Sequence, residues 1–224
     1  MIKKIWNNIF NKTDWHNLRS TKPISKVFGL DRGMPIDRYY IGKFLNENKN
    51  YISGKVLEIG ENTYSKKYGT NVSSFEVLHV DNKNKNATII GDLTKPETLP
   101  QNEIDCLICT QTLNFIYDFN KAIQGIHHLQ KKNGTALVTA AGICQISRYD
   151  MDRWGDYWRF TTKSASKAFS EIFGKKNIKV DFYGNVLSSI SFLEGIASNE
   201  LTDEELDFKD KDYEMLITVI AKKN

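Results

Sequence analysis

The fold is decided by the stretch Val56-Leu57-Glu58-Ile59-Gly60, in which an apolar strand ends in a carboxylate and a glycine. A second apolar run, Val77-Leu78-His79-Val80-Asp81, ends in another acid 21 residues after Gly60. The carboxyl ends of parallel strands meet at one crevice, which is where open α/β sheets bind ligands. An acid at the position of Asp81 is suited to accept hydrogen bonds from both hydroxyls of a ribose. The two runs therefore predict a ligand site at one edge of a parallel sheet.

Short β-rich runs alternate with helix-like segments from residue 54 onward, which predicts a mostly parallel sheet covered by helices. The predicted strands are 55–59, 76–80, 87–90, 105–110, 135–139, 178–183 and 215–221. Helices are predicted over 119–129, with 131–134 as the stop, and over 163–173, while 186–198 is helix-like. The last two strands need not be parallel, since a late strand can insert antiparallel at the sheet edge. The predicted fold class is α/β: a Rossmann-like, seven-stranded, mostly parallel sheet with helices on both faces and an antiparallel last strand.

Two further strand ends add polar groups to the same rim, in Gly91-Asp92-Leu93-Thr94 and Cys109-Thr110-Gln111-Thr112. A carboxylate at Asp92 is suited to accept a hydrogen bond from an adenine amino group. A single glycine or aspartate at a strand end is more often turn chemistry than a ligand contact. The occurrence of all these groups in order favours a ligand site.

The order of these motifs resembles that of class I S-adenosylmethionine-dependent methyltransferases. The resemblance rests on Glu-Ile-Gly at 58–60, Asp81, Gly91-Asp92-Leu93, the run 104–108 and a segment at 129–135 similar to the family's L-K-P-G-G. It implies S-adenosyl-L-methionine as the cofactor, with its ribose on Asp81, its adenine near Asp92 and Leu93, and its methionine part near Gly60 and Thr110. The predicted cofactor-binding set is Glu58, Gly60, Glu61, Asn62, Asp81, Asn82, Asp92, Leu93, Thr110 and Gln111.

The first loop departs from the family pattern, because E-x-G-x-G-x-G is replaced by Glu58-Ile59-Gly60-Glu61-Asn62-Thr63-Tyr64. Glycines there permit close backbone approach to the cofactor. Their loss predicts a different loop path, with Glu61 or Asn62 touching the methionine end. It also argues against a nicotinamide site, whose G-x-G-x-x-G holds a pyrophosphate at a helix N-terminus.

The arginines are confined to two segments of the chain, 19–38 and 148–159, although lysine is used throughout. Arginine presents a planar fork that suits carboxylate, phosphate or aromatic partners. The segments 29–40 and 146–160 therefore predict the walls of a substrate pocket. The candidate substrate residues are Arg38, Tyr39, Arg148, Tyr149, Trp154, Trp158 and Arg159. The alternative is structural pairing of arginine with aspartate between the two segments, through Asp31, Asp37, Asp150, Asp152 and Asp156.

The same two segments resemble a bacterial subgroup, similar to methyltransferase type 11 proteins, that occurs beside glycosyltransferases in polysaccharide assembly. Aromatic rings with interleaved acids and arginines suit a saccharide acceptor, and a buried tryptophan core would use the same residues. Methyl transfer is an in-line displacement that depends on positioning, and no metal is expected. A hydroxyl acceptor needs a base, for which Asp150, Asp152 and Asp156 are the candidates. The alternative role for these three acids is to hold Mg²⁺, and the chain's histidines are interpreted as structural.

The composition predicts a globular protein without a nucleic-acid partner, because the net charge of +4 is spread over scattered lysines. Three cysteines give neither a disulfide framework nor a zinc site, and favour a cytoplasmic location. Ile2, Ile5, Trp6, Ile9 and Phe10 form one apolar helical face in the N-terminal segment. That face predicts docking on the protein body, a homodimer formed through the segment, or contact with a membrane surface.

We interpret residues 1–50 as an N-terminal helical extension or lid and residues 51–224 as the methyltransferase domain. The predicted activity is methylation of a small-molecule or saccharide acceptor, directed to oxygen. The competing hypothesis is a non-catalytic methyltransferase-fold scaffold or regulatory subunit. Methylation of nucleic-acid bases is disfavoured, since the fourth strand ends in Thr110-Gln111-Thr112-Leu113 and not in an Asn-Pro-Pro-Tyr-like motif.

Overall fold

The computed structural model describes residues 16–224, which contain one seven-stranded sheet of order β3-β2-β1-β4-β5-β7-β6. The strands are β1 (Gly54–Ile59), β2 (Val72–His79), β3 (Ile89–Ile90), β4 (Ile104–Thr110), β5 (Gln130–Ala141), β6 (Ile178–Tyr183) and β7 (Leu216–Lys222). The pairs β1–β2, β1–β4, β2–β3 and β4–β5 are parallel, whereas β7 runs antiparallel to both β5 and β6. The predicted Rossmann-like fold is confirmed. The expectation of a final strand at the sheet edge is wrong, because β7 lies inside the sheet and β6 forms the edge.

The helices cover both faces of this sheet. They are α1 (Ile36–Glu47), α2 (Thr63–Tyr68), α3 (Phe119–Leu129), α4 (Arg148–Met151), α5 (Thr162–Phe173), α6 (Val186–Glu194) and α7 (Asp203–Asp207). Short 3₁₀ turns lie at His16–Arg19, Lys49–Tyr51, Pro96–Thr98, Leu113–Phe115, Lys175–Asn177 and Ser198–Glu200. The helix α3 has the predicted bounds, and its first turn is capped by the Asp118 side chain. The predicted stop at 131–134 is wrong, because β5 begins at Gln130 directly after the helix.

Two hydrophobic clusters make up the core, one on each side of the sheet. The cluster under α3 and α5 includes Ile126 and Phe169, and the cluster under α1 includes Tyr40. Along β4, Leu107 belongs to the first cluster and Ile108 to the second, as the two-residue period of a strand requires. A strand buried on both faces in this way leaves its carboxyl end as the place where polar side chains reach the solvent.

The segment before β1 contributes to this core through α1, whose side chains Ile36, Tyr40, Ile41 and Leu45 are buried. The division of the chain at residue 50 stays a prediction. The apolar face at 2–10, together with Trp6 and Trp15, lies outside the described residues. Within 16–224, no helix combines the length and the apolar character needed to cross a membrane.

Candidate functional site

A cavity of about 560 Å³ opens at the carboxyl ends of β1, β2 and β4 and beside the loop after β3. Its floor contains Gly60 from the end of β1 and His79 from the end of β2. Its sides are mainly apolar and aromatic. They include Leu78, Val80, Leu93, Phe115, Ile116, Tyr117, Trp154 and Tyr157. The cavity lies where the sequence predicts a ligand site.

Gly60 is the first residue after β1, and its backbone has φ +80°. This left-handed conformation favours glycine strongly. No heavy atom lies within 4 Å of the position that a Cβ would take, so the space is open toward the cavity. The Asn84 side chain donates a hydrogen bond to the Gly60 carbonyl at 2.5 Å and so ties the loop after β2 to the loop after β1.

Glu58 explains how the first loop forms without the family's later glycines. Its side chain is 2% exposed and accepts hydrogen bonds from the backbone N–H of Ser65 at 2.8 Å and of Tyr64 at 3.2 Å. Burial raises the pKa of the Glu58 carboxyl, although these hydrogen bonds lower it in part. The first N–H groups of a helix have no partner within the helix, and a carboxylate supplies one. The chain therefore enters α2 only three residues after Gly60.

The neighbouring residues Glu61 and Asn62 line neither this cavity nor the smaller one described below. Glu61 accepts a hydrogen bond from the Thr63 hydroxyl at 3.0 Å. Asn62 precedes α2 and makes no side-chain cap. Their predicted contact with the methionine end stays a prediction.

Asp81 directly follows His79 and Val80, which line the larger cavity, but is not itself among the lining residues. Its Oδ1 accepts a hydrogen bond from the Lys83 N–H at 2.9 Å and lies 3.2 Å from His79 Nδ1. Within residues 16–224, its Oδ2 makes no hydrogen bond and is free to bind a ligand. His79, interpreted from sequence as structural, lines the cavity, whereas Asn82 beside Asp81 does not.

Asp92 and Leu93 both line the larger cavity. The Asp92 Oδ1 accepts hydrogen bonds from the backbone N–H and the hydroxyl of Thr94, both at 2.8 Å. Burial raises the pKa of Asp92, but the bonds from Thr94 and the nearby Lys95 outweigh it and lower the pKa overall. Asp92 is thus a fixed anion in the wall, with Oδ2 3.5 Å from Lys95 Nζ.

Gln111 follows Thr110 at the end of β4 with φ +48°, which is unusual for a residue with a side chain. Its backbone N–H donates to the Thr139 carbonyl at 2.9 Å, which fixes the turn. Its side chain lies beside Asp37, and its buried Oε1 has no hydrogen-bond partner among the described residues. The same is true of Oδ1 of Asn114, a residue that is only 3% exposed. Buried amide oxygens without donors are costly, so both residues carry a free-energy penalty in this arrangement.

A smaller cavity of about 230 Å³ adjoins the larger one. Gln111, Phe115 and Asp150 line both cavities, and Thr110 lines the smaller one. The segment before β1 contributes Phe28, Leu30, Pro35, Asp37 and Arg38, and the segment after β5 contributes Cys144, Gln145, Ser147, Asp150, Asp156 and Arg159. The two arginine-bearing segments therefore face each other across one space.

The three predicted catalytic acids occupy different surroundings. Asp150 lines both cavities, and its Oδ2 accepts a hydrogen bond from the Ser147 hydroxyl at 2.6 Å. Asp156 lines the smaller cavity and is paired with Arg159. Asp152 is exposed, lines neither cavity and lies 3.8 Å from Arg148. In the described part of the chain, no three His, Cys, Asp or Glu side chains are grouped as metal ligands.

The predicted substrate residues divide between the two cavities and the surrounding structure. Arg38 and Arg159 line the smaller cavity, and Trp154 lines the larger one with its ring edge-on to His79 at 6.0 Å. The other predicted substrate residues line neither; they are Tyr39, Arg148, Tyr149 and Trp158.

Contacts account for three of these four positions. Tyr39 donates to Asp207 at 3.3 Å, the Tyr149 ring stacks under Arg153, and the Trp158 indole donates to the Tyr117 carbonyl at 3.0 Å. Among residues 16–224, no arginine–aspartate ion pair joins the two segments, which is against the alternative of structural pairing between them. Two pairs join residues within the second segment, Arg148 with Asp152 and Arg159 with Asp156, and Arg32 pairs with Glu200.

Sequence reasoning assigned no functional role to Asn114, His79 or Cys144, and treated Asp37 only as a pairing partner. Burial raises the pKa of the Asp37 carboxyl, although the adjacent Arg38 lowers it in part. The sequence feature that could have indicated Asn114 is its position three residues after Gln111, close to the predicted ligand site. The 3₁₀ turn Leu113–Phe115 brings this residue to the wall of the smaller cavity, and a sequence motif does not show such a turn.

Comparison with known proteins agrees with this architecture. Residues 53–138 match the sequence profile of the family described as "Methyltransferase domain". No curated protein matches the sequence.

Three solved structures share the fold at low sequence identity. A SAM-dependent methyltransferase from Thermotoga maritima, titled a possible histamine N-methyltransferase, is 14% identical with a TM-score of 0.55, covering 94% of this chain and 100% of that one. A SAM-dependent methyltransferase from Mesorhizobium loti is 16% identical with a TM-score of 0.53, covering 87% and 100%. The cyclase SpnF is 14% identical with a TM-score of 0.55, covering 86% and 84%. The fold is that of class I methyltransferases, and the domain match implies S-adenosylmethionine as the cofactor.

Proposed function

We propose that this chain is an S-adenosylmethionine-dependent methyltransferase that methylates a hydroxyl group of a small-molecule or saccharide acceptor. The observation that carries the proposal is the pair of adjoining cavities at the carboxyl edge of the sheet, joined through Gln111, Phe115 and Asp150. One cavity is large and mainly apolar, and the other is small, with charged and amide side chains beside apolar ones. A reaction between a nucleoside cofactor and a polar acceptor needs two such spaces in contact.

The larger cavity fits the cofactor. The wall of Val80 and Leu93 is apolar, as a purine face requires, and Asp92 beside it accepts hydrogen bonds from an amino group. Asp81, next to Val80, has a free carboxylate oxygen for the ribose. Gly60 leaves open the space in which the methionine part would lie against the backbone. When bound, the cofactor supplies an electrophilic methyl group on a sulfonium.

The smaller cavity fits an acceptor with hydroxyl groups. Gln111 and Asn114 are among its lining residues, and amide groups can both donate to and accept from hydroxyl groups. On the opposite wall, the partly exposed guanidinium of Arg159 supplies hydrogen-bond donors, and the buried Asp156 carboxylate holds it in place. The aliphatic and aromatic side chains of Leu30 and Phe28 provide the apolar surface that the C–H face of a sugar ring packs against.

Asp150 is the residue we propose as general base, because it lines both cavities and therefore lies where the methyl group and the acceptor oxygen meet. Its backbone and side chain are fixed by Ser147 at the start of α4. Asp37, on the opposite wall of the smaller cavity, is the second carboxylate that can accept the proton. In-line transfer needs this alignment more than it needs strong acid–base chemistry.

Calorimetric titration with S-adenosylhomocysteine tests the cofactor half of the proposal. We expect 1:1 binding, and Asp81→Ala should weaken it by about 1.5–3 kcal/mol, the free energy of hydrogen bonds to a charged group. Asp152→Ala is the matched control, since Asp152 lines neither cavity, and it should bind like wild type. Wild-type affinity in Asp81→Ala would remove the ribose assignment.

Transfer of tritiated methyl from S-adenosylmethionine to a panel of glycosides, nucleotide sugars and simple polyols tests the acceptor half. Asp150→Asn should lower the transfer rate at least tenfold and leave S-adenosylhomocysteine affinity within twofold of wild type. Equal losses of binding and of transfer would assign Asp150 to the cofactor site. A role in polysaccharide biosynthesis would be supported only if the labelled methyl group is transferred to a glycan.

The second candidate is a non-catalytic scaffold with the same fold. The observation that favours it is the first loop, which keeps only Gly60 of the family's glycines. The fold does not fix the reaction, and one solved structure that shares it is a cyclase. Absence of S-adenosylmethionine and S-adenosylhomocysteine binding would favour the scaffold, whereas binding with measurable transfer excludes it.

A further inference from the structure

The helix α6 presents its aliphatic side chains to the solvent and its serines to the protein. Val186, Leu187, Ile190 and Leu193 are between 39% and 45% exposed, whereas Ser188, Ser189 and Ser191 are at most 3% exposed. A surface helix of a soluble protein normally buries its apolar side. We name the four exposed side chains the α6 apolar face. Their spacing of one helical turn places them together on one side of the helix.

Specific contacts fix the orientation of α6. They prevent the helix from rotating about its axis to bury its apolar side. Asn185 and Ser188 form a reciprocal capping box at its start. The Asn185 side chain also donates to the carbonyls of Glu205 at 2.7 Å and Phe208 at 2.8 Å. Phe192 is 2% exposed and packs against Phe28 with ring centres 5.7 Å apart. The α6 apolar face is therefore held outward by the fold itself.

The N-terminal part of the chain arrives at the end of this helix. The backbone N–H of Ser25 donates to the Glu194 carbonyl at 2.9 Å, and that of Ile24 donates to the Glu194 carboxylate at 3.3 Å. Ile24 and Val27 are also exposed, at 48% and 47%. Residues 10–24 reach at most about 50 Å when extended, and α6 is about 14 Å long. The first ten residues are therefore within reach of the whole helix.

The sequence of those ten residues carries an apolar side that matches this surface. Ile2, Ile5, Trp6, Ile9 and Phe10 follow helical spacing, with Lys3 and Lys4 on the other side. We propose that residues 1–10 bind across the α6 apolar face of the same chain. Contact between the apolar side chains of the two segments removes both sets from water, which is the main source of stability in such contacts. The proposal does not depend on the reaction that the chain catalyses.

A disulfide between the two segments tests the contact directly. Ile5→Cys is combined with Ile190→Cys in a Cys144→Ser background, because Cys106 and Cys109 are buried. We expect oxidation to give an intrachain disulfide in most chains. The matched control combines Ile5→Cys with Phe75→Cys, an exposed position on β2, and should give none. A disulfide that joins two chains would make the occupant a second copy and would overturn the proposal, as would the absence of any disulfide.

Tryptic cleavage after Lys3 and Lys4 gives a second readout on the intact protein. Leu187→Glu with Ile190→Glu should raise the cleavage rate at least tenfold, because charge on the α6 apolar face releases the segment. Phe75→Glu should leave the rate unchanged. Equal rates in wild type and the double variant would contradict the proposal. Binding to vesicles of phosphatidylglycerol and phosphatidylethanolamine that the double variant loses would place the face on a lipid surface and overturn it.

Discussion

The guanidinium of Arg159 binds both carboxylate oxygens of Asp156, with Nη1 to Oδ1 at 2.5 Å and Nη2 to Oδ2 at 3.0 Å. The Asp156 side chain is only 1% exposed, so this pair fixes the loop that forms one wall of the smaller cavity. Arg159 also donates to the Gln145 carbonyl at 3.0 Å. Removal of the arginine leaves a buried charge unpaired.

We expect Arg159→Ala to lower the free energy of unfolding by about 2–3 kcal/mol, below the full cost of breaking a buried pair because Arg159 is partly exposed. Urea unfolding followed by circular dichroism measures it. Arg148→Ala is the control, since its pair with Asp152 is exposed, and it should change stability by less than about 0.5 kcal/mol. Equal effects of the two substitutions would show that the Arg159 pair is not structural.

Gly60→Ala should disturb both the backbone and the ligand. A side chain at φ +80° costs about 1–2 kcal/mol, and the added methyl group would occupy the larger cavity. We expect S-adenosylhomocysteine binding to weaken at least tenfold in calorimetry. Gly174→Ala has a similar φ of +84° but lies at the end of α5, away from both cavities. It should therefore lose similar stability with no change in ligand affinity; parallel losses of affinity would refute the cavity assignment.

Trp154 should report cofactor binding by its fluorescence, because its indole lines the larger cavity beside His79. We expect saturation with S-adenosylhomocysteine to change the emission of wild type. Trp154→Phe should abolish most of the change. Trp154→Ala should weaken binding by about 1–2 kcal/mol, through lost apolar contact. Trp158→Phe is the control, since Trp158 lines neither cavity, and an undiminished signal in Trp154→Phe would place the ligand elsewhere.

Glu58 should give the chain a specific dependence of stability on pH. Burial raises its pKa in the folded state above the ordinary value of 4.5, so the folded chain retains a proton that the unfolded chain has released. The free energy of unfolding from this residue therefore falls as the pH rises above 4.5. We expect the stability of Glu58→Gln relative to wild type to increase between pH 4.5 and 7 in urea unfolding. A difference that stays flat, or decreases, would contradict the raised pKa.

Asp92 provides the opposite case for the same experiment. Its pKa is lowered in the folded state, so its contribution is complete well above its ordinary pKa of 3.8 and is lost as the pH falls through the folded value. Asp92→Asn should therefore lose stability relative to wild type as the pH rises through that acidic range. The same sign in both variants would show that the trends come from other carboxylates.

The order of strands and helices was predictable from local patterns. Residues 106–109 are a continuous apolar run, and β4 is buried on both faces. The helix α3 follows its apolar period with the predicted bounds. The position of β7 was not predictable, because pairing between β5 and β6 depends on contacts across the sheet and not on its own sequence. The start of β2 at Val72, four residues before the predicted start, was not predictable for the same reason. Its first residues are in the strand because they pair with β1.

The candidate site was predictable where a strand end alone positions a residue, as at Gly60 and Asp92. It was less predictable in the loops. Trp154 and Trp158 are four residues apart and similar in sequence context, yet only Trp154 lines a cavity, because Trp158 is held by Tyr117 and Phe119. Glu58 belongs to the motif, but its carboxylate is used by α2. Whether such a side chain lines a cavity or packs against the protein depends on which neighbouring groups contact it in the folded chain.

The central position of β7 has a consequence for the order in which the protein can be built during synthesis. The strand β6 pairs with β7 and β7 with β5, so β6 cannot join the sheet until residues 216–222 have emerged from the ribosome. Until then β5 presents an open apolar edge, which is the kind of surface that pairs with other chains. A nascent chain halted before residue 216 would thus contain every strand that borders the larger cavity but would leave β5 with an unpaired edge.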